Sequence, residues 1–290
     1  FADDVEISIE VNPEDWSDRY AAALIAVGFN RVSIGAQSMD DTILGVLGRL
    51  HRAGDVDSVV RSAREAGFRS VSVDLILGHP NESESSWDAS VAAVLALPID
   101  HVSTYSLTVE PGTEMAKLVR DGLPEPDDDM QAARYERFIA ASLAAGFARY
   151  EVSNHARPGH VCSYNLSTWS HGEYVAFGMG AHDHRWGLRS RNHRRMDRYL
   201  EAVDVGIRPR LGSETLDLHA QERDRLMLGL RLAAGTPRTN TADRFAHSEA
   251  AQRLVAAGIL SITENRLVVA DPMLSDAVAR EALSVSAFDC

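Results

Sequence analysis

The chain of 290 residues reads as an α/β protein built on a parallel sheet, followed by a small α+β segment and a winged-helix-like tail. Three observations predict this. A motif recurs in which an Ala-rich helical stretch runs into Ala/Val-Gly-Phe, one or two polar residues and a β-branched run: Ala26 to Gly35, Glu65 to Gly78 and Ala144 to Ser153, with a looser copy starting at Ala256. Glycine there fits the position just past a helix, where a left-handed residue ends the last turn, and the next apolar residue packs back on the helix. Helix, glycine and strand repeated at this spacing mark βα units. The composition, 45% hydrophobic and 24% charged, is that of a globular domain.

The elements follow in order. Strands are expected near 5–10, 31–35, 70–77 and 101–107, with helices near 14–27, 40–47, 54–66 and 84–96, giving four consecutive βα units. A helix over 128–145 follows GLPEPDDD, whose proline and aspartates suit a helix start. Residues 148–192 are richer in Gly, His, Ser and aromatics and read as short strands and loops. Helices are then expected at 194–205, 217–233 and 248–257, a hairpin around Glu264-Asn265, and a last helix near 273–283. Helix–helix–hairpin of that size looks like a winged helix.

Charge excludes some partners. The formal net charge of −13 repels nucleic-acid phosphates and anionic lipid. Residues 214–281 hold eight Arg and no Lys against ten acids, so the tail is expected to be a packing or interaction module and no nucleic acid is expected. The longest apolar stretch, Tyr20 to Phe29, is about half of the ~20 residues that a bilayer span needs, so no integral membrane segment is expected. With no export signal and two cysteines, Cys162 and Cys290, the expected location is cytoplasmic.

Functional residues of parallel βα proteins gather at the C-terminal strand ends. All four ends are polar here: Glu10-Val11-Asn12-Pro13, Gly35-Ala36-Gln37-Ser38, Asp74 within SVSVDLILGHP, and Tyr105-Ser106-Leu107-Thr108. An aspartate inside a buried strand is costly unless paired, and a ring of acceptors suits a small ligand carrying ammonium or hydroxyl groups. No Walker-type loop, G-x-S-x-G elbow or H-E-x-x-H helix occurs. His182 and His184 alternate as on a strand but lack an evident third ligand, so no metal site is expected. Between His155 and Arg198, seven Arg face three acids, a local net of +4, and six of the eleven histidines fall between His155 and His193. A basic, His-bearing patch suits a carboxylated ligand, and imidazole can ligate haem iron.

The ordered strings IEVNPE, RVSIGAQS, GRLHRAGD, VDLILGHP, YSLTVEPGT and RYEVSNHARPGHVCSYN resemble the radical-SAM coproporphyrinogen III dehydrogenase-like family, from about residue 5 to the end of the chain. VEPGT, EVSNHARPGH and GAH are most similar to the HemW-type haem chaperone branch. The resemblance implies a partial radical-SAM (β/α) barrel over 1–147, its first two β/α units missing, a His/Arg-rich extension over 148–212 and the winged-helix-like domain over 213–290. It implies S-adenosylmethionine and a [4Fe–4S] cluster as cofactors, haem or a carboxylated tetrapyrrole as ligand, and a haem-accepting protein as partner. Carried over by position, Glu10, Gln37, Arg49 and Asp74 match S-adenosylmethionine contacts, and Thr108 and His182 match positions that approach it less specifically.

This sequence departs from the family pattern in two ways. The Cys-x3-Cys-x2-Cys cluster motif and the Gly-Gly-Thr-Pro segment are absent, and both are expected upstream of Phe1. The chain as it stands is therefore not expected to start radical chemistry. Tyr164 stands where the chaperone branch has His, and Thr168 where it has Tyr. The other readings are the oxygen-independent coproporphyrinogen III dehydrogenase itself and a non-catalytic truncated homologue.

Overall fold

The structure, a computed structural model, describes residues 4–286. Two compact units divide between Val161 and Cys162. The first runs β1 (Ser8–Val11), α1 (Asp18–Ala26), β2 (Arg31–Gln37), α2 (Asp41–Val46), α3 (Ala53–Ala66), β3 (Ser70–Leu77), α4 (Glu84–Leu95), β4 (His101–Ser106), α5 (Glu114–Arg120), α6 (Asp128–Ala144), β5 (Ala148–Arg149) and β6 (Asn154–Ala156). One six-stranded sheet has the order β1-β2-β3-β4-β6-β5. The first four strands pair in parallel, the outcome the repeated βα pattern predicts.

Local sequence explains the helices. Ser17, Ser83 and Asp127 cap α1, α4 and α6 by accepting backbone N–H groups of the first turn. All four glycines of the recurring motif, Gly28, Gly67, Gly146 and Gly258, have φ between 71° and 100°. The residue after each closes the helix end: the N–H groups of Phe29, Phe68, Phe147 and Ile259 bond the carbonyls of Leu24, Ala63, Ser142 and Leu254 at 2.9–3.2 Å. Buried residues recur at helical spacing, as Val56, Val59, Val60 and Ala63 on α3 and Trp87, Ser90, Val91 and Val94 on α4.

Strand alternation gives the sheet two unlike faces. Cross-strand rows such as Val11–Ile34–Val73–Val102 form the apolar face, and α3 packs against β2 and β3 and α6 against β3. Each fully buried aliphatic side chain there contributes roughly 1.5–3 kcal/mol. The intervening rows are polar: Ser8–Arg31–Ser70, then Glu10–Ser33–Ser72–His101, then Asp74–Ser103. A sheet face lined this way is suited to hold polar groups.

The second unit comprises α7 (Ser163–Trp169), β7 (His182–Arg185), β8 (Leu188–Asn192), α8 (Met196–Asp204), β9 (Arg210–Thr215), α9 (Leu218–Gly229), β10 (Thr236–Pro237), α10 (Asn240–Ala246), α11 (Glu249–Ala256), β11 (Leu260–Ile262), β12 (Arg266–Val269) and α12 (Ser275–Ser286). It contains two three-stranded sheets, β7-β8-β9 and β10-β12-β11. A core including Leu226, Leu230, Phe245, Leu267 and Val278 fills the space between the last helices and the second sheet.

The sequence segments were expected as 1–147, 148–212 and 213–290; the described residues form two compact units that divide after Val161, and β6 returns antiparallel along β4, with His155 opposite Val102, tying the 148–156 segment into the first sheet. Two expectations are corrected. The third copy of the motif does cap its helix, but β6 intervenes between β5 and β4, so the copy adds no directly paired parallel strand. The region read as short strands and loops also carries the helix α7.

Candidate functional site

Glu10, Val11, Asn12, Asp15, Tyr20, Ser33, Gly35, Gln37 and Asp74 line a cavity of about 520 Å³ at the C-terminal ends of β1–β3. That size lies within the range of small-molecule sites. Glu10 and Ser33 face each other across β1 and β2. The Ser33 hydroxyl lies 2.9 and 3.0 Å from the two oxygens of Asp74. Burial pushes the Asp74 carboxyl up to about 6, with the Glu10 charge adding to it, against the opposing hydrogen bonds from Ser103 and Ser33 and the charge of Arg31. Among the described residues three carboxylates and no basic side chain line the cavity, which favours a ligand rich in positive charge and hydrogen-bond donors.

Gln37 enters this cavity through an unusual backbone. β2 bulges between Ile34 and Gln37, Gln37 has φ 66°, and Ser38 N–H closes a three-residue turn onto the Ala36 carbonyl at 2.8 Å. A γ-turn centred on a left-handed, non-glycine residue is rare and strained, and such strain clusters at ligand sites. Gly35 makes room for the amide, since a Cβ there would lie 2.7 Å from Gln37 Nε2. Arg49, just past α2, donates from Nη1 to Asn12 Oδ1 at 3.2 Å, so it stands behind the lining rather than in it.

The structure thus brings Glu10, Gln37 and Asp74 together, with Arg49 one contact away. Thr108 is exposed two residues past β4. His182 lies in the second unit, on β7, beside Arg189, Arg191 and Gly212 in a separate cavity of about 310 Å³. Sequence reasoning missed Ser33, Asp15 and Tyr20; the alternation in RVSIGAQ, which sets residues 31, 33, 35 and 37 on one face, was the available signal for Ser33.

The basic stretch is largely engaged. Arg157 stacks on Phe147 and Arg185 on Trp186. Arg189 pairs with Glu214 and Asp224, Arg195 with Asp197, and Arg198 with Glu201. The His171 and His184 rings lie with centroids 4.4 Å apart and planes tilted by 52°, and among the described residues no group of three or more His, Cys, Asp or Glu side chains is arranged to hold a metal ion. No helix of the described residues is long and apolar enough to cross a membrane.

Parallel βα units with a polar strand-end cavity define the class to which the family comparison points: residues 1–94 match the Radical SAM superfamily. The fold is similar to that of coproporphyrinogen III oxidase (HemN) from Escherichia coli, a radical SAM enzyme, with a TM-score of 0.79 and 20% identity over 99% of this chain and 70% of that one. Heme chaperone HemW of Mycobacterium tuberculosis is 39% identical over 97% of this chain and 73% of its own length. HemW of Bacillus subtilis is 33% identical over 84% of this chain and 64% of its own. The chain belongs to the HemW-type haem chaperone family of radical-SAM proteins.

Proposed function

We propose that the chain binds S-adenosylmethionine in the strand-end cavity and binds haem, or another carboxylated tetrapyrrole, for delivery to an acceptor protein. The observation that carries the first part is the convergence of Glu10, the strained Gln37 and Asp74 on one cavity. Carboxylates suit the ribose hydroxyls and the ammonium group of this ligand, the Gln37 amide its polar edges, and the Arg49 guanidinium its carboxylate. Thr108, at the same end of the sheet, is the outer candidate contact. S-adenosylmethionine supplies a sulfonium-linked adenosyl group. The protein residues hold and orient it.

The described residues do not fit the [4Fe–4S] cluster that the family implies. Three thiolates are needed, and this sequence has two cysteines. Cys162 is buried in the second unit, and Cys290 lies outside the described residues. No catalytic step is therefore assigned to the chain. The haem part rests on the identity to the named heme chaperones over nearly the whole chain. The same reading takes β1–β4 as the later units of a radical-SAM barrel, α9–α12 with their hairpin as winged-helix-like, and the cytoplasm as the place of work.

Calorimetric titration tests the first part. The wild type should bind S-adenosylmethionine, and Asp74→Asn and Glu10→Gln should each weaken binding at least about tenfold, the scale of a lost charge-assisted hydrogen bond. Wild-type affinity in both variants would refute the site. Addition of haem should shift the Soret band of the wild type, and an unshifted band would refute the haem part.

A further inference from the structure

His51 touches none of the cavity, yet the residues around it build the cavity's least ordinary feature. Its side chain is wholly buried. Nε2 lies 3.1 Å from the carbonyl oxygen of Ala36, and Nδ1 lies 3.0 Å from Glu14 Oε2. The Ala36 carbonyl is the acceptor that closes the γ-turn on Gln37. Being an acceptor only, it fixes His51 Nε2 as a donor. Glu14 belongs to the 3-10 turn Pro13–Asp15 that follows β1, and Arg49, two residues before His51, grips Asn12 at the end of the same strand. The segment from Arg49 to His51 therefore ties the turn after β1 to the bulged end of β2.

A left-handed glutamine is strained and persists only where its surroundings over-determine it. Gly35 gives the Gln37 amide space but exerts no force on the peptide. The bond from His51 does: it holds the Ala36 carbonyl in the direction that the γ-turn requires. We propose that His51 is a positioning residue for the S-adenosylmethionine site, acting through the Ala36 carbonyl to keep Gln37 turned into the cavity. This rests on the reading of that cavity given above. The imidazole has the reach and rigidity for the role, since one edge meets the turn and the other is held by Glu14.

The experiment is a double-mutant cycle on the full chain, with S-adenosylmethionine affinity read by calorimetry and folding read by the thermal transition. His51→Leu, still folded, should weaken binding about tenfold. His51→Gln, whose amide N–H can reach the Ala36 carbonyl, should restore most of it. In a Gln37→Ala background the same His51→Leu change should cost less than about twofold, because the group it positions is gone. Unchanged affinity in folded His51→Leu, or an equal loss with and without Gln37, would overturn the proposal. Should His51→Leu not fold, His51→Gln is compared with the shorter His51→Asn, and equal affinities would overturn it. A wild type that binds no S-adenosylmethionine would remove the site reading and this proposal together, whereas normal wild-type binding with insensitive variants removes this proposal alone.

Discussion

Asp74 sits on a polar row of the sheet, and burial holds its carboxyl at about 6 rather than 3.8. Between those values the folded chain keeps a proton that the unfolded chain releases, so this residue lowers stability as pH rises through the window. Ligand binding has the opposite sign. A sulfonium or ammonium group is attracted by the ionised carboxylate, so S-adenosylmethionine affinity should increase from pH 5 to pH 7, by up to about tenfold per unit below the midpoint. Asp74→Asn should flatten that dependence, and an equally steep pH profile in the variant would assign it to another group. Asp74, Glu10 and Gln37 were legible as polar residues at strand ends because period-two alternation is written in the sequence. The turn at Gln37 was not legible. Glutamine has no preference for φ above zero; Gly35, two residues before it, leaves the room, and His51, fourteen residues after it, bonds the carbonyl that closes the turn.

At the scale of elements, the glycine-terminated helices were legible because capping is local, needing only the last turn and the two residues after it. The return of β6 along β4 was not, because strand order depends on pairing between segments about fifty residues apart. Two features created by packing between distant segments have measurable consequences. Arg134 of α6, fully buried, donates Nε to Glu84 Oε1 at 2.9 Å and Nη1 to Glu82 Oε2 at 3.2 Å, clasping α6 to the start of α4 and the loop before it. Burial outweighs the arginine's charge at Glu82 and pushes its carboxyl up to about 7. Arg134→Met should therefore destabilise the chain by about 3 kcal/mol at pH 8. The loss should be smaller at pH 6, where Glu82 takes up a proton, as denaturant titrations at the two pH values would reveal. His155 of β6 is the second feature. It packs edge-on against Phe138 of α6, at 4.9 Å between ring centroids, and neither ring nitrogen has a hydrogen-bond partner among the described residues. Burial, aided by Arg149, pushes its pKa down to about 3 from 6.5. The unfolded chain then binds the extra proton, so stability is full above about 6.5 and falls by up to about 1.4 kcal/mol per pH unit down to about 3. His155→Phe should remove that part of the acid sensitivity.

For the molecule as a whole, the division between Val161 and Cys162 gives each unit its own buried core. The first centres on the apolar face of the sheet, with Val32, Ile34, Val73 and Leu75 wholly buried, and the second on the cluster around Phe245. The sequence signals a change of character near residue 148, where the helical repeat stops, whereas the first sheet goes on pairing to Ala156. Separate cores make the effects of distant core mutations additive and local. Phe245→Ala removes a fully buried ring from the second core and should cost about 3–5 kcal/mol there. Scanning calorimetry should show one transition moving down in temperature and another staying in place. At a temperature where only the second unit has melted, S-adenosylmethionine affinity should equal that of the wild type, because all the described residues lining the strand-end cavity belong to the first. A single transition that shifts as a block, with affinity lost in step, would mean that the two cores unfold as one cooperative structure.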